Sequence, residues 1–211
     1  MWSLNLENSV GLFGGTFNPL HDAHILVAEN ALKQYALREV VFVPSGVPPH
    51  KDVEGGVSKE HRYEMVKQAI ARFSAFSVSR IEIDREGPSY TIDTIQALRS
   101  CYPTRLCFIL GADLLSQIET WKESRALLDS VPFIVAPRYG INREAFSMPP
   151  FDSAEIHFLE MKAVDLSSRW IRERIKRGEG IEHWVPQEVF AYIDTHGLYR
   201  NKRLTKIGTS E

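Results

Sequence analysis

Two cysteines, Cys101 and Cys107, are all that the 211 residues contain. They are too few and too oddly spaced for a disulfide framework or a zinc motif. Two reduced thiols are expected, as in a cytosolic protein. Long apolar runs are also missing: no stretch reaches the roughly 18 apolar residues of a membrane-spanning helix. The opening MWSLNLENSV has no basic residue before its apolar part, so it is not expected to act as a signal peptide. Charge of one sign is absent too, with 25 Lys and Arg against 27 Asp and Glu and a formal net charge of −2. No global basic field advertises nucleic acid, so any site for a polyanion must be local. Neither the Walker pattern G-x-x-x-x-G-K-[ST] nor the fingerprint G-x-G-x-x-G occurs, and the histidines do not form H-E-x-x-H. A soluble cytoplasmic protein is expected, with no nucleic-acid partner and no membrane contact; a homo-oligomer is left open.

What is present is an alternation of short apolar runs with longer helical patterns. VGLF (10–13) predicts a strand closed by Gly14-Gly15, and 24–37 spaces its apolar residues as a helix does. VVFVPS (40–45) predicts a second strand, ended by Pro44; the prolines and glycines of 47–56 predict a loop. A helix over 58–73 would be capped by Ser58, and the alternation in 76–83 predicts a strand. After Pro88 a helix spans 89–100, and 105–113 is an almost wholly apolar strand that stops at Gly111, as a buried parallel strand would. Strands are expected at 131–137 and 155–161, separated by the irregular 138–152. Helices follow at 167–178 and 186–197, bounded by serine, proline and glycine. Alternating strands and helices argue for a parallel sheet covered on both faces. The expected fold is α/β, a Rossmann-like doubly wound parallel sheet with a small C-terminal helical part. Its length suits one domain over 1–211, of which 200–211 is a polar tail.

The segment GLFGGTFNPLHDAH (11–24) carries the chemistry. In doubly wound folds ligands bind at the carboxyl ends of strands, and the turn after VGLF is such an end. Glycines let a phosphate approach the backbone, and the following helix offers free N–H groups to an anion. His21 and His24, at i and i+3, share a face of the first helical turn. There they can donate hydrogen bonds to a phosphate. A tight strand-to-helix connection and two surface histidines would be the plainer reading of the same residues.

GGTFNPLHDAH resembles the H-x-G-H signature of a nucleotidyltransferase superfamily. VPPHK (47–51), PSYTIDTI (88–95), GADLLSQIETW (111–121), LSSRWIRERI (166–175) and VPQEVFAYIDTHGLY (185–199) resemble, in order, segments of its nicotinate mononucleotide adenylyltransferases. The resemblance covers about residues 10 to 199. Two positions depart from it: Ala23 stands where H-x-G-H has glycine, and Arg169 stands where I-S-S-T-x-I-R has threonine, exchanging a hydroxyl for a cation.

The resemblance implies transfer of AMP from ATP to nicotinate mononucleotide, giving deamido-NAD and pyrophosphate in NAD biosynthesis. The mononucleotide phosphate would attack the α-phosphorus of ATP directly. His21, His24 and Arg172 would be catalytic. Gly14, Gly15, Thr16, Phe17, Ser167 and Ser168 would bind ATP phosphates, with Gly111 and Asp113 on nucleotide ribose. His50 and Lys51 would reach the mononucleotide phosphate; Tyr90 and Thr91 would lie near the nicotinate carboxylate, and Trp121 would stack on the pyridine. Magnesium would be carried by the ATP phosphates, without a dedicated protein metal site. The competing readings are the same transfer to nicotinamide mononucleotide or to a phosphopantetheine-type acceptor, a non-catalytic nucleotide-binding module, and a metal-dependent hydrolase.

Overall fold

Apolar residues alternate in side along the four central strands, and each of these has both sides buried. Val10 and Leu12 point to one face and Phe13 to the other; Val41 and Val43 oppose Val40 and Phe42 in the same way. Such strands are stable only inside a sheet covered on both faces. The structure, a computed structural model, describes residues 5–49 and 54–201, and among these it contains that sheet.

Six strands form it: β1 (Val10–Gly15), β2 (Glu39–Pro44), β3 (Phe76–Val78), β4 (Leu106–Gly111), β5 (Phe133–Ala136) and β6 (Ile156–Phe158). Their order is β3-β2-β1-β4-β5-β6, and all neighbours are parallel. Seven α-helices accompany them among the described residues: α1 (Asp22–Gln34), α2 (Lys59–Ile70), α3 (Thr91–Arg99), α4 (Ala112–Leu115) and α5 (Ser124–Ser130) between strands, and α6 (Ser168–Lys176) and α7 (Gln187–His196) after the last. One core joins α1, α2, α6 and α7 to the face that carries Phe13 through Ala28, Met65, Ile171 and Val189. The other joins α3, α4 and α5 to the face that carries Val10 and Leu12 through Ile95, Leu115 and Leu128. This is the Rossmann-like α/β fold expected, with α6 and α7 as its C-terminal helical part.

Several boundaries differ from the sequence reading. β1 does not close before the glycine pair but runs through it, with Gly14 opposite Val43 and Gly15 opposite Pro44. The strand expected over 76–83 ends at Val78, because the chain then turns: Asp84 N–H bonds to the Arg80 carbonyl at 2.8 Å. The strand expected over 155–161 is three residues long, and α1 begins at Asp22, before His24. Two stretches expected to be irregular hold single 3-10 turns, Glu54–Gly56 and Arg143–Phe146. The cysteines are both free, Cys101 exposed and Cys107 buried in β4, where burial pushes its thiol up to about 12.

The order places β1 and β4 side by side at the centre. From β1 the chain winds outward through β2 and β3, then returns to β4 and winds the other way. The crevice above the carboxyl ends of β1 and β4 is therefore the switch point where doubly wound folds bind ligands.

Candidate active site

A cavity of about 840 Å³ opens at that crevice, a size that suits a small-molecule site. Its near wall is the turn from β1 into α1. Gly14 and Gly15 lack side chains here for a packing reason: a Cβ would stand 2.7 Å from the Phe108 ring at Gly14 and 2.9 Å from the Phe17 ring at Gly15. Phe17 takes a left-handed φ of 47°. Its ring is buried against Phe13, Phe42 and His24.

His21 is the N-cap residue of α1, and His24 lies one turn on. Their rings stack with centroids 3.7 Å apart. The His21 backbone N–H donates to His24 Nδ1 at 3.2 Å. An imidazole that accepts through Nδ1 carries its proton on Nε2 when neutral, so His24 is left with one N–H donor. Burial holds His21 down to about 3 and the Arg138 cation adds to the effect. His24 is held well below the ordinary imidazole range by burial, by His21 and by Arg138. Both rings are thus neutral at pH 7. His21 Nδ1 is buried with no hydrogen-bond partner. Ala23, between them, is buried and also lines the cavity.

The turn is fastened from outside. The Arg62 guanidinium, 1% exposed, donates to the Thr16 carbonyl at 2.8 Å and to the Gly46 carbonyl at 2.9 Å, tying the loop after β1 to the loop after β2. Asn18 Nδ2 donates to the Glu54 carbonyl, and its Oδ1 accepts from the Tyr199 hydroxyl, each at 2.8 Å. Helix α6 is docked onto the same turn: Ser168 Oγ donates to the Pro19 carbonyl at 2.8 Å, and Arg172 donates to the Asn18 carbonyl at 2.7 Å. The other terminal nitrogen of Arg172 pairs with the Glu54 carboxylate, which that cation holds below the usual carboxylate range. Ser167 caps α6 by accepting the Trp170 N–H at 3.2 Å.

The far wall comes from the other half of the sheet. Gly111 ends β4 and starts α4, where a Cβ would lie 2.4 Å from Asp113 Oδ1. Asp113 pairs with Arg138 at 3.1 Å. Tyr90 and Thr91 stand at the start of α3, and Trp121, half-buried, follows the 3-10 turn Ile118–Thr120. Lys122 lies over the Tyr90 ring at 5.1 Å and pairs with Asp93 at 2.8 Å. Of the residues singled out from sequence, all those described line this one cavity except Ser167. His50 and Lys51 lie outside the described residues. Among the described residues no group of three or more His, Cys, Asp or Glu could hold a metal ion.

The cytidylyltransferase-like family model matches residues 12–174, from β1 into α6. Over 197 residues the chain is 40% identical to a protein of Carboxydothermus hydrogenoformans named probable nicotinate-nucleotide adenylyltransferase, an overlap of 90% of this chain and 98% of that one. The chain belongs to the nicotinate-nucleotide adenylyltransferase family. A Moorella thermoacetica relative of the same name is 44% identical over 198 residues, 90% of this chain and 91% of that one. Among solved structures, the Plasmodium falciparum nicotinic acid mononucleotide adenylyltransferase complexed with NaAD superposes with a TM-score of 0.76 at 19% identity, over 92% of this chain and 98% of that one.

Within this member of the adenylyltransferase family, sequence reasoning missed several residues that build the site. Arg138 stands just past the end of β5. The rule that ligands gather at carboxyl ends of strands, applied to β5 as it was to β1, would have found it. Arg62, Asn18, Glu54 and Tyr199 carry no local signal, because their partners are 16 to 181 residues away. Arg172, expected to pair with phosphate, has both terminal nitrogens bonded to protein, and its Nε is buried without a partner.

Proposed function

We propose that the protein joins nicotinate mononucleotide to ATP, giving deamido-NAD and pyrophosphate. The observation that carries this reading is the stacked, neutral His21–His24 pair at the start of α1, facing a cavity whose opposite wall holds Tyr90, Thr91 and Trp121. A polyphosphate needs donors without competing carboxylates, and the pair supplies them at a helix N-terminus.

A phosphate oxygen of the mononucleotide attacks the α-phosphorus of ATP. The new P–O bond forms as the bond to the β-phosphate oxygen breaks, and pyrophosphate leaves with that electron pair. The work is positioning and charge stabilisation. His24 donates its Nε2–H to the reacting phosphates. His21, stacked on His24 and lining the same cavity, acts beside it on the phosphates. Thr16, Phe17 and the glycine pair shape the phosphate turn; Ser167, Ser168 and Arg172 set α6 against it, so that positioning is the role their bonds support. Gly111 and Asp113 face the ribose side. Trp121 stacks on the pyridine, with Tyr90 and Thr91 beside the nicotinate carboxylate. Magnesium enters on the ATP phosphates as part of the substrate. The reaction runs on free nucleotides in the cytoplasm, without nucleic acid or membrane.

The test is pyrophosphate release from purified protein and Mg-ATP with nicotinate mononucleotide, with nicotinamide mononucleotide, and with neither. Release that requires the acid, with deamido-NAD formed in equal amount, is expected. Donor N–H and O–H groups favour a carboxylate over an amide, so the acid should be preferred by about tenfold or more. Equal or reversed preference would refute the acid assignment.

A further inference from the structure

Buried polar side chains are not scattered among the described residues. Asn18, His21, Arg62 and Arg172 build and fasten the histidine turn. Glu82, Ser89 and Thr94 form a second group, and Glu82 is the one buried carboxylate among the described residues. Burying a carboxylate is costly unless its oxygens are hydrogen-bonded. The Thr94 hydroxyl donates to Glu82 Oε1 at 2.7 Å, and Arg85 donates to Thr94 Oγ1 at 2.9 Å. Burial raises the Glu82 carboxyl, while the Thr94 and Ser89 hydroxyls, the Arg85 cation and the Gly46 N–H favour its charged form. Glu82 and Ser89 line the cavity, yet nothing in the transfer chemistry has so far called on either.

The group joins pieces of chain from different parts of the sequence. The loop after β2 presses on it: a Cβ at Gly46 would stand 2.0 Å from the Glu82 carbonyl oxygen, so only glycine passes there. Ser89 Oγ accepts the Gly46 and Val47 N–H groups at 3.2 and 3.3 Å. The Ser89 N–H donates to the Val47 carbonyl at 2.8 Å. Tyr90 and Thr91 follow directly, and the Thr94 N–H donates to the Tyr90 carbonyl at 3.1 Å. On its other side the same loop gives the Gly46 carbonyl to Arg62, which also holds the Thr16 carbonyl. A continuous line of bonds therefore runs from the phosphate turn through Arg62 and the 46–47 loop to Ser89, Glu82 and Thr94. It ends at the start of α3. Such networks stiffen what they connect when every member is bonded.

We propose that Glu82 is a positioning residue for the acceptor nucleotide: through Ser89 and Thr94 it fixes the start of α3, with Tyr90 and Thr91, at a set place relative to the phosphate turn. This rests on the adenylyl-transfer reading and adds a residue to it. Direct displacement needs the attacking phosphate oxygen in line with the α-phosphorus, and a misplacement of about 1 Å can cost about 10²-fold in rate. Glu82 acts through its two hydroxyl partners and not on the reacting atoms. The β1 turn has its own fastening in Arg62, Asn18 and α6, so ATP should not feel the loss of Glu82.

The experiment measures kcat and the KM for nicotinate mononucleotide and for Mg-ATP, by pyrophosphate release, on the parent, Glu82→Ala, Glu82→Gln, Thr94→Val and the double variant Glu82→Ala with Thr94→Val. Urea unfolding is run on each, and if the alanine variant does not fold, Glu82→Gln and Thr94→Val carry the test. Glu82→Ala should raise the KM for nicotinate mononucleotide about tenfold, the scale of a buried hydrogen bond left unmade, with the KM for Mg-ATP within about twofold. Glu82→Gln keeps an oxygen for the Thr94 hydroxyl and should recover part of the loss. Thr94→Val keeps the shape without the hydroxyl and should reproduce part of it. The double variant should be no worse than Glu82→Ala, because the two act as one unit. The proposal falls if both KM values rise together, or if neither moves. It also falls if Thr94→Val matches the parent while the Glu82 variants do not, since Glu82 would then act on the acceptor itself. A parent that releases no pyrophosphate with nicotinate mononucleotide would overturn the adenylyl-transfer reading, and this proposal with it. A parent that turns over, beside Glu82 variants that match it, would overturn the Glu82 assignment alone.

Discussion

Replacing His24 with alanine removes three things at once: the Nδ1 that accepts the His21 N–H at 3.2 Å, the ring stacked on His21 at 3.7 Å, and the Nε2–H donor. The first two belong to the fold. Losing a neutral hydrogen bond costs about 1 kcal/mol, and the lost ring contacts, including the edge contact with Phe17, add about 1 kcal/mol more. Stability should therefore fall by about 2 kcal/mol, which leaves a typical domain folded. The third belongs to the chemistry. Removing one donor aimed at developing charge slows turnover by about 10²- to 10³-fold. Two further substitutions separate the roles. In His24→Asn the amide oxygen falls where Nδ1 was, so the cap bond and its share of the stability, about 1 kcal/mol, return while the ring contacts and the donor do not. In His24→Gln the amide nitrogen falls where Nε2 was, so turnover should recover in part. Urea unfolding and the single-turnover rate of pyrophosphate release give the two axes. If Asn restored activity and Gln did not, or if Ala cost less than about tenfold in rate, His24 would be a cap and not a donor.

Other predictions follow from the same geometry. Trp121→Ala should raise the KM for nicotinate mononucleotide about tenfold to a hundredfold, the worth of one stacked base, with the KM for ATP nearly unchanged; a matched rise in both would place Trp121 in the scaffold. Arg62→Met leaves the Thr16 and Gly46 carbonyls without their donor and should cost about 3 kcal/mol by urea unfolding. Arg62→Lys should restore only part of it, since an ammonium does not span two carbonyls as a planar fork does; a loss under about 1 kcal/mol would refute that account. For pH, His21 titrates at about 3 when folded against an ordinary 6.5, so below pH 6.5 the unfolded chain takes up a proton that the folded one does not. Stability is therefore lost as pH falls from about 6.5 to 3, by about 1.4 kcal/mol per unit from this group. His21→Gln should flatten the stability profile over that window relative to the parent, and parallel profiles would show that His21 is not held neutral.

The strands were legible because a parallel strand buried on both faces must be an apolar run: β1, β2, β4 and β5 are VGLFGG, EVVFVP, LCFILG and FIVA. The failures have equally physical causes. Ile81 and Ile83 alternate with polar residues as a strand would, yet Arg80 bonds to Asp84 and Glu60 and holds the segment in a turn. Ser124–Ser130 was missed as a helix because seven residues give barely two turns of periodicity. At the site, His21 and His24 were legible because the glycine turn, the helix start and the paired imidazoles are consecutive. What fastens them is not consecutive at all.

Tyr199 makes the point most sharply. In the sequence it ends a segment noticed only for its likeness to relatives. In the fold it is 5% exposed and its hydroxyl holds Asn18 Oδ1 across 181 residues of chain. Asn18 in turn receives Arg172 and binds the Glu54 carbonyl, so the C-terminal helices are clamped to the turn that carries the histidines. The same clamp explains why an arginine at 172 and an arginine at 169 have different fates on one helix. Arg172 faces the turn and is matched by a carbonyl and a carboxylate. Arg169, three residues earlier, lines the cavity from the helix start and is exposed. A sequence shows both as cations of a charged helix. Only the packing of α6 against Asn18 and Pro19 makes one of them a fastening.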